Sequence, residues 1–328
     1  MDLSIIIINW NSANYLQKCL RSVYEHTRGI QMEVIVIDNA SFDGARELVE
    51  REFPQVRFIQ SEQNLGFAKG NNTAARQASG RWLLFLNPDT ELHSPAINCL
   101  LDAADSLPQP GALGARLLNT DRTLQTSCVL RFPRLTNHLI DADILRRWFP
   151  RARIWGASVL YSDNPEPVPV ERVSGACLMT RRSTFEQLGG FSEDYFMYCE
   201  DLEYCLKAHK AGRCNYYVPK AVLIHHGGKS SSQAADQFAN VMMAEAGWRF
   251  FQKEHGLGWA VAFRGCLAVK AVSRLGLLAL AYPLPWREHR RRKLNASIGK
   301  YVSIARWASG AERWAADKQQ MESRAPRS

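Results

Sequence analysis

Ser4-Ile5-Ile6-Ile7-Ile8 sets four isoleucines in a row with no polar alternation. A β-branched run of this kind, apolar on both faces, predicts a strand buried between two layers, as in a parallel sheet. Working outward, a helical period follows over 13–26, with Ser12 as a candidate N-cap. Glu33-Val34-Ile35-Val36-Ile37 reads as a second strand, 41–52 as a helix stopped near Pro54, and 56–60 as a third strand. A helix over 67–78, the strand Trp82-Leu83-Leu84-Phe85-Leu86, a helix over 94–107 and a strand over 112–117 complete the series. Strands alternating with helices predict βαβ units wound into a Rossmann-like, doubly wound, mostly parallel α/β sheet.

Residues 119–170 break the regularity. They carry Phe132-Pro133, Phe149-Pro150 and Pro165-Glu166-Pro167-Val168-Pro169, and read as a long insertion with helix near 136–148. Insertions of this length commonly cover an active site. Regular pattern resumes at Val173 and runs to about Glu254. The predicted division is therefore one domain over 1–255 and a tail over 256–328.

Charge separates the two parts. Residues 1–255 hold 27 Lys and Arg against 28 Asp and Glu, whereas 256–328 hold 14 against 4. The tail carries the whole positive excess and is the part built to meet something anionic. The eight cysteines are scattered, without a C-x-x-C pair, which suits reduced thiols in a cytosolic protein. Met1-Asp2-Leu3 leads straight into a strand, so no signal peptide is expected.

Chemistry-bearing residues cluster where predicted strands end. Asp38-Asn39-Ala40-Ser41 follows the second strand, at the carboxyl edge where open α/β sheets bind ligands; a helix N-cap is the plainer use of the same residues. Asn64-Leu65-Gly66-Phe67-Ala68-Lys69-Gly70-Asn71-Asn72 opens a helix. Gly66 allows close backbone approach there and Lys69 suits a phosphate, although a helix start with a polar face reads the same way. Asn87-Pro88-Asp89 ends a buried strand in a turn, and Asp89 suits a hard divalent cation that takes other ligands from phosphate. Glu200-Asp201 sits among aromatics at a helix start, where burial and the helix dipole pull a carboxyl pKa in opposite directions. His225-His226-Gly227-Gly228-Lys229 adds imidazoles after a short strand. No G-x-G-x-x-G and no Walker lysine occurs, so neither a dinucleotide nor an ATP fold is supported.

In this order and spacing the chain resembles a family 2 glycosyltransferase of the GT-A fold, most of all its rhamnosyltransferase-like branch. The resemblance covers roughly 2–255 and rests on 4–11, 34–41, 64–72, 83–90, 174–181, 188–206 and 225–230. It implies an inverting, metal-dependent enzyme of cell-envelope glycan synthesis, using a nucleotide-diphosphate sugar, with thymidine-diphosphate L-rhamnose the first choice. Asp38 would read the base. Asn11, Asn39, Gly66, Lys69, Asn71 and Asn87 would line the donor, and Asp89 with His225 would hold Mg2+ or Mn2+. Asp201 would act as the base beside Glu200. Gly175 and Ala176 would face a polyprenyl-diphosphate-linked or glycan acceptor, with 119–170 as an acceptor-side insertion. Asn87 stands where many relatives have the first acid of Asp-x-Asp; the branch tolerates that departure. His226 is the alternative to His225.

The tail extends these expectations. Residues 256–281 are rich in Leu, Val, Ala, Trp and Phe, and Arg264, Lys270 and Arg274 fall within roughly a 120° arc of a helix. Arg287, Arg290, Arg291, Arg292 and Lys293 follow. The pattern predicts an amphipathic helix lying on an anionic membrane, placing the protein peripherally on the cytoplasmic face of the inner membrane. Three rivals compete. A non-catalytic nucleotide- or glycan-binding scaffold of the same fold would lack turnover. A nucleic-acid binder is disfavoured because the basic residues lack aromatic interleaving. A nucleotidyltransferase is disfavoured because the loop Asn9-Trp10-Asn11-Ser12-Ala13-Asn14 carries no basic residue.

Overall fold

The computed structural model describes residues 1–136, 149, 151, 157–227, 233–284 and 286–316. The helix expected near 136–148 and the expected Lys229 lie outside the described residues, apart from the helical pair 135–136. The chain divides into two compact units: 1–132, 149–193 and 200–229 form the first, and 133–148, 194–199 and 230–328 the second.

The first unit is built on a nine-stranded mixed sheet. Its parallel half runs β3 (Arg57–Ser61), β2 (Met32–Asn39), β1 (Leu3–Asn9), β4 (Trp82–Leu86). Every residue of β1 and of β4 is buried, as their unbroken apolar runs predict. Beyond β4 the order continues β10 (Cys177–Arg181), β6 (Pro110–Leu118), β11 (Cys214–His225), β5 (Thr90–Leu92), with β8 (Val168–Val170) also on β11. β10 is antiparallel to both neighbours, and β6 and β11 are parallel to each other. The carboxyl ends of β1, β2, β4 and β11 therefore share an edge with the amino end of β10. β7 (Val129–Leu130), within the insertion, and β9 (Arg172–Val173), just after it, form a small antiparallel ribbon.

Helices α1 (Ala13–His26), α2 (Ala45–Glu52), α3 (Gly66–Ala75), α4 (Ala96–Ser106), α5 (Arg182–Gln187) and α6 (Glu200–Lys210) complete this unit. Two helix starts differ from expectation. Ser12 does not cap α1: its hydroxyl donates to the Trp10 carbonyl, and Asp43 Oδ2 accepts from Ala13 N at 2.8 Å instead. α2 begins at Ala45 rather than near 41, because Phe42 and Gly44 take left-handed φ values of 51° and 82° that no helix continues through. Small residues let α3 lie close on the sheet: a Cβ at Gly70 would sit 3.2 Å from Ile8 Cδ1. Phe85, Phe185, Phe191 and Tyr204 pack together at tilted or edge-on angles, with centroids 4.6 to 5.5 Å apart. Each fully buried aromatic or aliphatic side chain contributes roughly 1.5–3 kcal/mol.

The second unit is carried by α7 (Gln233–His255), α8 (Leu257–Ala281) and α9 (Glu288–Ala308). Phe263 of α8 stacks on Phe251 of α7 at 4.9 Å. Glu245 of α7 accepts from Trp307 Nε1 at 3.0 Å. The expected basic face of α8 is split. Arg264 turns inward, donating to the carbonyls of Trp307 and Ala308 and stacking on Trp248 and Trp307. It thus serves the carboxyl end of α9, where backbone carbonyls lack helix partners.

Asn215 ties β11 to both layers. Its Oδ1 accepts from Ala112 N at 3.0 Å and its Nδ2 donates to the carbonyls of Glu171 and Cys205, both at 2.9 Å. Asn215→Ala strands these buried groups and should cost on the order of 3 kcal/mol in urea unfolding; a loss below about 1 kcal/mol would show that the amide is not such a tie.

Candidate functional site

The shared edge of the sheet collects the candidate residues on short loops. Asn11, Ala40 and Phe42 hold left-handed φ values of 50°, 58° and 51° in the loops after β1 and β2. Non-glycine residues there are uncommon, and such conformations cluster where a ligand is bound.

Asp38 is 1% exposed and heavily bonded. Its carboxylate accepts from Asn9 Nδ2 at 2.6 Å, Gln60 Nε2 at 2.5 Å, Ser41 N at 3.0 Å and the Ser41 hydroxyl. It thus caps a turn rather than a helix and fixes the ends of three parallel strands. A cavity of about 400 Å3 opens beside it, lined by Asp38, Phe42, Asp43, Arg46 and Gln60. Asn39 Nδ2 donates to Gly66 O at 3.0 Å, joining β2 to the start of α3. Gly66 needs its freedom, with φ 71°. Asn71 is buried and its amide donates back to Phe67 O at 2.9 Å, while Lys69 is exposed. The buried oxygens Asn9 Oδ1 and Asn39 Oδ1 have no hydrogen-bond partner among the described residues.

Asn87 and Asp89 occupy the turn from β4 to β5, and His225 ends β11 opposite Thr90. His225 Nε2 lies 3.2 Å from Asp89 Oδ1 and 3.3 Å from Asn87 Nδ2. Its Nδ1 is 2.8 Å from Gln125 Oε1. An amide oxygen accepts, so Nδ1 carries a proton toward Gln125 and Nε2 faces Asp89. Gln125 is itself oriented by donating Nε2 to Asn119 Oδ1 at 3.2 Å. Nε2 thus faces a carboxylate oxygen and the Asn87 amide, an arrangement open to a bound cation or to a proton on Nε2. Among the described residues, no group of three or more His, Cys, Asp or Glu could hold a metal ion alone. The Asp89–His225 pair suits a divalent ion that takes its remaining ligands from a diphosphate and water. His226 is engaged otherwise: its ring nitrogens meet Glu91 Oε2 and Thr120 Oγ1, both at 3.1 Å, and its backbone N donates to Asp89 O.

Glu200 and Asp201 begin α6, after Tyr198 and Cys199 at φ 68° and 67°. Asp201 Oδ2 accepts from Gly175 N at 2.8 Å and lies 3.8 Å from the Arg172 guanidinium. A Cβ on Gly175 would come within 3.1 Å of Asp201 Cβ, so a side chain there would crowd this approach. The neighbouring Ala176 carbonyl accepts from Asn87 N at 3.0 Å. Gly175-Ala176 therefore holds Asp201 through the Gly175 N–H and the Asn87 turn through the Ala176 carbonyl. Asn9, Gln60, Gln125 and Arg172 complete the site without any sequence signal of their own. Gln125 and Arg172 border or lie within irregular stretches, and their partners are 100 and 29 positions away.

Glu200 is 6% exposed, and burial first, then the adjacent Asp201 charge, pushes its carboxyl up to about 8. The folded protein then binds more protons than the unfolded chain between about pH 4.5 and 8. Its stability falls as pH rises through that window and levels above it. Glu200→Gln should remove this slope, so the gap in urea midpoints widens in the variant's favour from pH 5 to pH 8. Parallel curves would contradict a protonated Glu200.

Comparison with known proteins follows the same lines. The model of glycosyl transferase family 2 matches residues 4–189. The N-acetylglucosaminyl-diphospho-decaprenol L-rhamnosyltransferase of Mycobacterium tuberculosis is 30% identical over 315 residues, covering 91% of this chain and 99% of that one. Rhamnosyltransferase WbbL of Escherichia coli is 25% identical, over 68% of this chain and 82% of its own. Among solved structures, a mannosyltransferase from Pyrobaculum calidifontis in complex with GDP-Man and Mn2+ superposes with a TM-score of 0.57 at 19% identity, covering 94% and 87% of the two chains. That likeness shows the GT-A architecture.

Proposed function

The chain belongs to glycosyl transferase family 2, in its rhamnosyltransferase-like branch, and we propose that it transfers L-rhamnose from thymidine-diphosphate rhamnose to a polyprenyl-diphosphate-linked acceptor, with inversion. The acceptor class follows the decaprenol-linked substrate named for the mycobacterial relative and places the reaction in cell-envelope glycan synthesis. The observation that carries the reading is the double anchorage of Gly175-Ala176, which sets a carboxylate beside a turn suited to a diphosphate.

Asp201 accepts the proton of the acceptor hydroxyl as its oxygen attacks the anomeric carbon. The bond from that carbon to the diphosphate breaks on the opposite face, and the diphosphate leaves with the electron pair. Arg172 and the Gly175 N–H hold Asp201 Oδ2 and the Leu202 N–H donates to Oδ1 at 2.7 Å, so the carboxylate is oriented before substrate arrives. Protonated Glu200 beside it avoids a second buried negative charge at the reacting centre. Asp38, with Asn9 and Gln60, would meet the base, and the α3 start at Gly66 would meet the phosphates. Asp89 and His225 would hold Mg2+ or Mn2+, which supplies charge neutralisation for the departing diphosphate.

Two measurements test this. Nucleoside diphosphates, each with and without Mn2+ or Mg2+, are screened by thermal unfolding. Thymidine diphosphate with metal at about 100 times its dissociation constant should add roughly 2.7 kcal/mol, and Asp89→Ala should lose the metal dependence. Asp201→Asn should lower transfer by about 10²- to 10⁴-fold while nucleotide stabilisation persists. Unchanged turnover in Asp201→Asn, or no response to any nucleotide, would refute the assignment.

A further inference from the structure

Every exposed residue of α8 is uncharged, and Ser273 is the only polar one. Trp259, Val261, Val269, Val272, Leu277 and Leu280 stand 50% to 79% exposed. At ~100° per residue they span about 160° of one helix side. The opposite side is packed: Ala260, Phe263 and Ala271 are buried, and Arg264 is spent on the end of α9. Lys270 and Arg274 are only partly exposed; at ~100° per residue Lys270 borders the open side beside Trp259 and Leu277, and Arg274 lies beyond it. The helix has 25 residues, so the uncharged face is about 37 Å long. Among the described residues no helix is long and apolar enough to cross a membrane.

The basic cluster follows this face directly. Arg287, Arg290, Arg291, Arg292 and Lys293 are exposed at the turn into α9, and Glu288 is the sole acid among them, paired with Arg292. Arg291 stacks over Tyr282 at 5.3 Å and Arg290 over Trp286 at 5.6 Å. Exposed Leu284 lies between those two rings in the chain. Aromatic rings with guanidinium groups on them suit the boundary between acyl chains and headgroups.

We propose that this side of α8 docks in the headgroup–acyl boundary of an anionic lipid bilayer, with the basic turn seated on lipid phosphates. Charge complementarity selects this occupant. A second copy docked through the same face would offer the cations no acid, because that face has none. A bilayer supplies apolar depth to the stripe and negative charge to the turn together. Apolar insertion does the holding and the cations select the lipid. The proposal builds on the reading of a lipid-linked acceptor, since it would hold the enzyme on the surface where that acceptor is presented.

The purified full chain is sedimented with vesicles of phosphatidylglycerol and, separately, phosphatidylcholine. Wild type should partition onto the anionic vesicles. The triple variant Val269→Glu, Val272→Glu, Leu280→Glu should bind at least roughly tenfold more weakly. Arg290→Gln, Arg291→Gln, Arg292→Gln should lose the preference for phosphatidylglycerol. All six positions are exposed, and matching thermal midpoints would show that the folds are intact. Equal partition of wild type and both variants overturns the proposal, as does failure of wild type to bind. A dimer in light scattering that the apolar variant abolishes, with vesicle binding unchanged, assigns the face to a second copy and also overturns it. Vesicle binding as expected, without transfer to any lipid-linked acceptor, would leave the docking face standing and refute the acceptor instead.

Discussion

Two consecutive residues, Gly175 and Ala176, hold the site together. The Gly175 N–H binds the Asp201 carboxylate, and the Ala176 carbonyl binds the backbone of Asn87. One rigid dipeptide thus sets the spacing between a carboxylate on α6 and the turn after β4. β10 makes this possible. It is antiparallel within an otherwise parallel neighbourhood, so its amino end reaches the edge where β1, β2, β4 and β11 finish. A parallel strand at that position would deliver its carboxyl end instead and leave Asp201 without its donor.

The same economy governs the Asp89–His225 pair. His225 ends β11 and Asp89 lies in the turn just before its partner β5; Nε2 and Oδ1 are 3.2 Å apart, and Gln125 holds the other side of the ring. The neighbouring imidazole of His226 is spent on Glu91 and Thr120, so adjacent histidines do different work. Asp38 likewise acts first as a bracket for three strand ends. Its Oδ2 already accepts from both Gln60 and the Ser41 N–H.

Local pattern made the parallel half of the sheet legible. Ile5 to Ile8 and Leu83 to Leu86 are apolar on both faces because both faces are covered, and burial of that kind leaves a trace in composition alone. β5, with three residues, and the antiparallel setting of β10 leave no such trace, since strand order is decided by distant pairing. Asp38, Asp89, Asp201 and His225 could be singled out because they sit at strand ends or helix starts. Gln125 and Arg172 could not, because each matters only through a partner brought from elsewhere in the chain. The tail shows the same boundary: periodicity grouped Arg264 with Lys270 and Arg274, but only the packing of α9 shows that Arg264 faces inward.

The stereochemistry of the product tests the central claim most directly. Purified protein, thymidine-diphosphate rhamnose and a lipid-linked acceptor are incubated with Mg2+ or Mn2+, and the new anomeric carbon is read by its one-bond carbon–hydrogen coupling in NMR. A single displacement aided by Asp201 predicts a glycoside of configuration opposite to that of the donor. A product that keeps the donor's configuration would contradict it.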